Sequence, residues 1–436
     1  MIVGKIDRKL KLYKQTFTTN DYGERVVASN TFVTIYGDFD FKGGKTSFDA
    51  DALINEERIE CLIRYRTDIG VTPQYYISNG STNYSIKSIK EVGRKEKMIL
   101  LLEKNDVVDL AAIAPTPVDP TAWTFTINTA NLTTGSTTNT QFKLPLTTSG
   151  TYNFSVDWGD DSTDTITTYN QAEATHTYAT AGTYTITCTP NSSTLIDIRF
   201  ASGGDRNKMI DISQWGSVEL RNNGAFYGCN YLNTTATDAP TLNLTDAQNM
   251  FRSCYSFNGN INNWNLTGVT KIDSFFNECF AYNQPLNNWD VSSVSTMTNT
   301  FVQAYSFNQS LNDWDTGSLT NMQQIFFNAR NFNQNLNNWD TGNVTNFFRA
   351  FRFCSAFDQS LLWDVSSGTN FGDFLANAEL STINYDATLE YWAVQVVATN
   401  ITISFGDSEY GSGDGANSRA VLINDKGWTI IDGGPA

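Results

Sequence analysis

Apolar positions along this chain follow three different rhythms. In residues 1–108 they alternate with polar residues in short runs such as "YSIKSIKEV" and "KMILLLEK", separated by the turn signals "NDYGE" and "SNGSTN". Such runs predict short strands. In residues 122–190 the alternation is cleaner. Tyr152, Phe154, Val156 and Trp158 alternate in "YNFSVDWGDDSTD", and Tyr184, Ile186 and Cys188 alternate in "THTYATAGTYTITCT". Both read as half-buried strands of an antiparallel sandwich. Between the two lies "DLAAIAPTPVDPT", residues 109–121, whose three prolines predict an extended linker.

From residue 191 to the end the rhythm lengthens to a period of 25. "YSFNQSLNDWDTGSLTNM", starting at Tyr305, returns as "RNFNQNLNNWDTGNVTNF" at Arg330. Four apolar columns share this period. One is Trp264, Trp289, Trp314, Trp339 and Trp363. A second is Phe226, Phe251, Phe276, Phe301, Phe326 and Phe351. A third is Ile261, Leu286, Leu311, Leu336 and Leu361, and a fourth is Val269, Val294, Leu319 and Val344. Several columns at one period predict a solenoid, each rung covering its neighbour's apolar face. Within a rung, Met322, Ile325, Phe326 and Ala329 fall at helical spacing, so "NMQQIFFNA" is expected as a short helix capped by Thr320 or Asn321. "LNNWDT" is expected as a strand and turn, which together make a leucine-rich-repeat-like rung. The fold class is therefore multidomain and mainly β: short strands, an antiparallel sandwich, then a solenoid.

Charge divides the chain unevenly. Residues 1–108 hold 17 Lys+Arg against 15 Asp+Glu, whereas the remainder holds 12 against 30. The acidic part is expected to repel nucleic acid. The opening "MIVGKIDRKLKLYKQ" has scattered charges and no apolar core segment, so no secretory signal is expected, and no later stretch is long enough to cross a bilayer. Synthesis in a host cytoplasm is the corresponding expectation.

Little in the sequence points to catalysis. The six cysteines include no CxxC pair. Cys229, Cys254, Cys279 and Cys354 share a column with Ala304 and Ala329, a slot for a small apolar group. His176 is the only histidine, and no nucleophile motif accompanies it, so the chain is not expected to be an enzyme or to carry a cofactor. Asp157, Asp160, Asp161 and Asp164 form an acidic cluster that is a weak calcium candidate, with a solvated loop as the preferred reading. The tryptophan column is read as core rather than as exposed sugar-stacking rings. Asp290, Asp315, Asp340 and Asp364 are read as turn formers.

Three resemblances add to these readings. The opening "GKIDRKLKLYKQT", the turn "DYGER", the strand "IECLIRYRTDI" and the closing "YSIKSIKEVGRKEKMILLLEK" resemble the phage head–tail connector family, the head-closure or stopper proteins, over residues 1–108; Phe32 stands where many members have tryptophan. "VDWGDDS" and "HTYATAGTYTIT" are similar to a PKD domain over 122–190, with Asp161 where glycine is usual. The repeat resembles the BspA-like surface repeats of Bacteroidetes type over 205–436, and the segment from about 383 to 436 looks like their C-terminal cap.

The resemblances imply a small β-barrel for residues 1–108 and an immunoglobulin-like sandwich for 122–190. The first implies a virion protein at the neck of a tailed phage. It implies a homo-oligomeric ring, twelvefold if it follows the portal, that contacts a portal or adaptor protein, a tail completion or tail tube protein, and packaged DNA. It also implies that the segment 41–60 projects toward the DNA channel. Lys42, Gly43, Gly44, Lys45, Thr46, Glu56 and Glu57 are then a candidate gating loop, hinged at the glycines. The other two resemblances imply decoration domains with host-surface or mucus glycans as candidate ligands, and no membrane partner. The alternative reading is a bacterial cell-surface adhesin or glycan-binding repeat protein.

Overall fold

A computed structural model describes residues 119–193 and 195–436 in full, and before them the backbone of six strands lying between residues 8 and 104. The chain divides into two compact units, Met1–Val118 and Asp119–Ala436.

In the first unit the strands are β1 (Arg8–Thr19), β2 (Arg25–Asp49), β3 (Ala52–Arg64), β4 (Tyr75–Ser78), β5 (Asn83–Val92) and β6 (Lys97–Lys104). They pair antiparallel in the order β1-β2-β3-β6-β5-β4, and β4 pairs in turn with β1, so the circuit of pairings closes. Closure leaves no terminal strand in this circuit, and the outer parts of β2 and β3 pair with each other alone.

The second unit begins with β7 (Trp123–Asn128), β8 (Gln141–Lys143), β9 (Phe154–Asp157), β10 (Thr163–Ile166), β11 (Thr175–Thr177) and β12 (Thr183–Pro190). Alternation governs what each strand buries. Trp123, Phe125 and Ile127 of β7 point into the core, as do Phe154 and Val156 of β9 and Ile186 and Cys188 of β12. β10, β9, β12 and β7 lie side by side and antiparallel. β8 and β11 form a separate pair, and Phe142 of β8 packs on Phe125 with ring centroids 5.8 Å apart.

The boundary expected at 190/191 falls inside one continuous sheet. The next strands are β13 (Ile196–Asp197), β14 (Met209–Gln214), β15 (Val218–Leu220), β16 (Asn233–Thr234) and β17 (Thr241–Leu242). β14 pairs antiparallel with β7 and parallel with β16, which joins the first rungs to the sheet. β13, β15 and β17 stack in parallel beside it. The end of the expected linker is also part of this unit: Gln214 Nε2 donates to the Asp119 carbonyl at 2.6 Å, and Ser217 N donates to that of Thr121 at 2.8 Å.

A buried ion pair clamps the same junction. Lys208 and Asp205 have no exposed side-chain surface, and Lys208 Nζ lies 3.1 Å from Asp205 Oδ1. Lys208 Nζ also donates to Thr137 Oγ1, Thr138 O and Gln141 O at 2.7, 2.8 and 2.6 Å. Asp205 accepts the backbone N–H groups of Thr137 and Lys143 at 2.8 and 2.7 Å. Burial lowers the Lys208 pKa, and the Asp205 carboxylate opposes that shift.

The rung differs from the expected helix and strand. "NMQQIFFNA" is a run of turns, and "LNNWDT" contains no strand. Gln324 and Asn328 have φ of 55° and 58°, which interrupts a helix, and the equivalent residues of other rungs, such as Asn299 and Gln303, do the same. Alternate amides leave the turn. Met322, Gln324, Phe326 and Asn328 donate to Asn346, Phe348, Ala350 and Arg352 of the next rung at 2.8–3.1 Å. Ile325, Phe327 and Ala329 donate three residues back, at 2.9–3.2 Å. Parallel contact between rungs is thus made by stacked turns, with single bridges such as Thr296 to Asn321 to Asn346. The apolar spacing of 3 and 4 that suggests a helix arises equally from two successive turns.

The core of the solenoid is a set of stacked rings. Trp289, Trp314, Trp339 and Trp363 follow one another with centroids 6.2–6.3 Å apart. Each indole N–H donates to a carbonyl one rung back: Trp289 to Ile261, Trp314 to Leu286, Trp339 to Leu311 and Trp363 to Leu336, at 2.8–3.0 Å. Phe226 to Phe351 form a second stack at 5.3–6.3 Å. Phe257, Tyr282, Phe307, Phe332 and Phe357 form a third at 5.8–6.1 Å.

Beside the third stack runs a ladder of side-chain amides. Asn283 Oδ1 accepts the N–H of Asn308 and Nε2 of Gln309, Asn308 Oδ1 does the same for Asn333 and Gln334, and Asn333 for Asp358 and Gln359, at 2.9–3.0 Å. This ladder explains why "NQ" recurs in the repeat: each pair satisfies backbone that no strand serves.

The C-terminal end is covered by α1 (Thr382–Ala393), β18 (Thr402–Ser404), β19 (Glu409–Tyr410), α2 (Asp414–Asn424), β20 (Thr429–Ile431) and β21 (Gly434–Pro435). β18 pairs with β20 and β19 with β21, both parallel. Trp392 of α1 continues the indole pattern by donating to Leu361 O at 2.9 Å. Asp358 accepts from Ser381 N and Asn384 Nδ2 at 2.7 and 2.8 Å. Burial alone raises the Asp358 carboxyl, but the bonds from Asn384 and Ser381 outweigh it and hold the pKa below the ordinary carboxylate range.

Candidate functional site

The candidate gating segment is a β-hairpin rather than a loop. β2 and β3 stay paired outward past Lys42, which faces Arg58, to Asp49, which faces Ala52. Lys45 pairs with Glu56 and Thr46 with Asn55, and the register shifts between Lys42 and Lys45, at Gly43 and Gly44. The glycines therefore mark a bulge in a long two-stranded arm, a place where extra backbone re-aims a strand. The side chains of Lys42, Lys45, Thr46, Glu56 and Glu57 lie outside the described residues.

The acidic cluster does not converge. Asp157 Oδ1 accepts Gly159 N at 2.9 Å, and Asp164 Oδ2 accepts Trp158 Nε1 at 2.9 Å. Asp160 Oδ2 lies 2.8 Å from His176 Nε2. Asp161 sits at φ 66°, a left-handed position that asparagine and aspartate tolerate better than most residues. Each is engaged separately, and among the described residues no group of three or more His, Cys, Asp or Glu side chains is placed to hold a metal ion. Burial tends to raise the Asp160 carboxyl, but hydrogen bonds from Ser162 and His176 prevail and lower it.

Ser162, His176 and Asp160 meet, a juxtaposition that the sequence spacing does not suggest. Their geometry is not that of a catalytic triad. Ser162 Oγ donates to Asp160 Oδ1 at 2.5 Å, and the same imidazole nitrogen faces both Asp160 and Ser162, the latter at 3.5 Å. A triad needs the carboxylate on one ring nitrogen and the hydroxyl on the other. The ring is instead stacked on Trp158 at 4.8 Å and set edge-on to Tyr178 at 4.5 Å, which makes it a packing element.

The cysteines of the column, and Cys188 of β12, are buried away from reagents. Cys188, Cys229, Cys254, Cys279 and Cys354 are free and fully buried, and burial pushes their thiols up. Cys254, Cys279 and Cys354 donate to the carbonyls of Phe226, Phe251 and Phe326. We expect a fragment of residues 119–436 to show no thiol reacting with an aromatic disulfide reagent until it is unfolded, when all five react. Rapid labelling of the native fragment contradicts this.

The tryptophans Trp264, Trp289, Trp314, Trp339 and Trp363 and the phenylalanines Phe251, Phe276, Phe301, Phe326 and Phe351 are all buried. Their ring faces are taken by one another. The described surface does offer hollows beside the repeat. An open groove of about 670 Å³ is lined by Arg199, Arg221, Asn222, Asn243, Thr245 and Thr267 among others. A smaller one of about 290 Å³ lies over Asn262, Asn265, Asn288 and Asp290. Among the described residues no helix is long and apolar enough to cross a membrane.

The geometry defines a mainly β chain: a closed circuit of six strands in one unit, and in the other a sheet that runs into a capped repeat. Comparison with known proteins gives these parts separate affinities. Residues 1–105 match the family described as phage head completion protein. Residues 221–331 and 284–392 match the family described as Mycoplasma protein of unknown function. A solved structure titled "Virion of native gene transfer agent (GTA) particle" is similar to 24% of this chain and over 98% of its own length, at 13% identity and a TM-score of 0.21. No curated protein matches the chain.

Proposed function

We propose that this chain is a structural protein of a tailed-phage particle, with residues 1–108 completing the head at its junction with the tail. The match of residues 1–105 to head completion proteins carries this reading, because it spans all six strands of the first unit. In this reading the unit forms a cyclic ring, twelvefold if it follows the portal. The ring contacts a portal or adaptor protein on one side and a tail completion or tail tube protein on the other, and packaged DNA occupies its channel. The β2–β3 arm supplies the gate. The unit Asp119–Ala436 is a decoration, in which residues 122–190 are PKD-like and residues 205–436 are BspA-like repeats. In this reading, display of many copies on one particle raises avidity for a weak glycan ligand by ~10²–10⁴, and the polar groove lined by Arg199 and Asn243 is the candidate place for it.

The arm is the part to test. Lys42 faces Arg58, so replacing residues 43–57 by an Asn-Gly turn keeps the base of the hairpin. Particles carrying this change are expected to assemble and then lose most of their DNA before tails attach, as read by nuclease sensitivity of purified heads. Full retention contradicts a gating role and assigns the plug to another protein.

A further inference from the structure

The groove of about 670 Å³ lies where the first rungs begin, and its volume is that of a small-ligand site. Among the described residues no aromatic side chain lines it, so it offers no ring on which the apolar face of a neutral sugar could stack. It offers two guanidiniums instead. Arg199 and Arg221 are exposed, and both line the groove. Cations are scarce in this part of the chain, where residues 109–436 hold 12 Lys+Arg against 30 Asp+Glu. Two of them in one hollow therefore depart from the charge of the surface around them.

Each guanidinium is held on one edge and open on another. Arg199 donates through Nε to Asn223 O at 2.7 Å and through Nη2 to Asn223 Oδ1 at 3.0 Å, while its Nη1 meets no acceptor among the described residues. Arg221 donates through Nε to Glu219 Oε2, and neither of its Nη atoms meets an acceptor there. Glu219 is buried, and its other oxygen accepts Asn243 Nδ2 at 2.9 Å, so both its oxygens are engaged by the side chains that it orients. The rest of the lining suits hydroxyls. Asp246 Oδ1 accepts Gln248 N at 3.0 Å and leaves Oδ2 open. Asn243 Oδ1 and the side-chain amide of Asn222 meet no partner among the described residues. Thr267 borders the smaller hollow as well, so the polar surface continues into the next rung.

Resting on the glycan reading of this groove, we propose that its ligand is a saccharide bearing a single carboxylate. The acid group meets the open edges of Arg199 and Arg221, and ring hydroxyls meet Asp246, Asn222 and Asn243. Hydrogen bonds between a guanidinium and a carboxylate are roughly twice as strong as neutral ones, so the acid group supplies the anchor that a stacking ring supplies elsewhere. A polyanionic glycan is a poorer ligand, because its further charges meet the acidic surface around the groove. An acidic peptide is poorer too, because it brings carboxylates without the row of hydroxyl donors that Asp246 and the asparagine carbonyls accept.

The test is calorimetric titration of the full chain with three probes: a disaccharide containing one glucuronic acid, sialyllactose, and lactose. The first two carry one carboxylate on a pyranose ring from different sources, and lactose carries none. At least one acidic probe is expected to bind, with lactose at least ~10-fold weaker. Arg199→Gln removes one open guanidinium and leaves the pair of Arg221 with buried Glu219 in place. It is expected to weaken the acidic probe at least ~10-fold. Arg330→Gln removes the same charge outside the groove and is expected to leave binding unchanged. Lactose binding as tightly as both acidic probes overturns the proposal and leaves the glycan reading of the groove standing. No binding by any probe overturns both. Acidic-probe binding that Arg199→Gln leaves unchanged, or that the two variants weaken alike, overturns the assignment to this groove. The comparison of probes on the native chain decides the acid preference independently of how either variant folds.

Discussion

Asp205→Ala is expected to destabilise the unit Asp119–Ala436 by about 3–5 kcal/mol, the cost of leaving one partner of a buried ion pair alone. Lys208 then has no carboxylate within a pocket that excludes water, and the amides of Thr137 and Lys143 lose their acceptor. The effect is expected in urea unfolding of a fragment of residues 119–436. Replacing both partners, Asp205→Leu with Lys208→Met, is expected to recover part of the loss but not all, because those two amides stay unpaired. A change below about 1 kcal/mol for Asp205→Ala, the range of an exposed pair, shows that the pair is hydrated and does not clamp the junction.

Trp314→Ala is expected to cost about 3–5 kcal/mol through cavity formation. Two further losses fall on its neighbours. Leu286 O loses its indole donor, and Trp289 and Trp339 lose a ring on one face. Because each rung contacts only adjacent rungs, the damage is expected to be local. Hydrogen exchange is expected to accelerate in the rungs around 286–340, with the cap helices still protected. Trp314→Phe is expected to cost less, since it keeps most of the ring area and loses the N–H. Uniform acceleration across 119–436 contradicts the stacked-rung account and points to one cooperative core.

Much of the repeat is visible in the sequence because a solenoid writes its interior as columns. Trp264 to Trp363 and Phe251 to Phe351 stand out by size alone. The third stack, Phe257 to Phe357, and the Asn–Gln ladder recur at the same period, but phenylalanines with a single tyrosine, Tyr282, and small polar pairs stand out less from the composition than tryptophan. The rung conformation was not legible. Helical spacing at Met322, Ile325, Phe326 and Ala329 is shared by stacked turns, and only the left-handed φ at Gln324 and Asn328 separates them. Gln324 is of a type common in helices and announces nothing, whereas Asn328 is of a type that enters the left-handed region readily and is the one local sign of the break. The sheet that runs from β7 into β14 was hidden for another reason: strand pairing across a change of sequence rhythm has no pattern of its own. In the first unit the glycines Gly43 and Gly44 suggested a hinge, and the pairing on both sides of them makes a bulge. The meeting of Ser162, His176 and Asp160 depends on a fold-level approach of two strands and is not readable from spacing.

Placement in the particle is the most direct test of the central claim. Purified phage particles carrying a small affinity tag after Ala436, labelled with gold and imaged by electron microscopy, are predicted to show label at the junction of head and tail, several copies per particle, and nowhere else. Label spread over the capsid, or found only on the surface of uninfected bacterial cells as the adhesin reading requires, contradicts it.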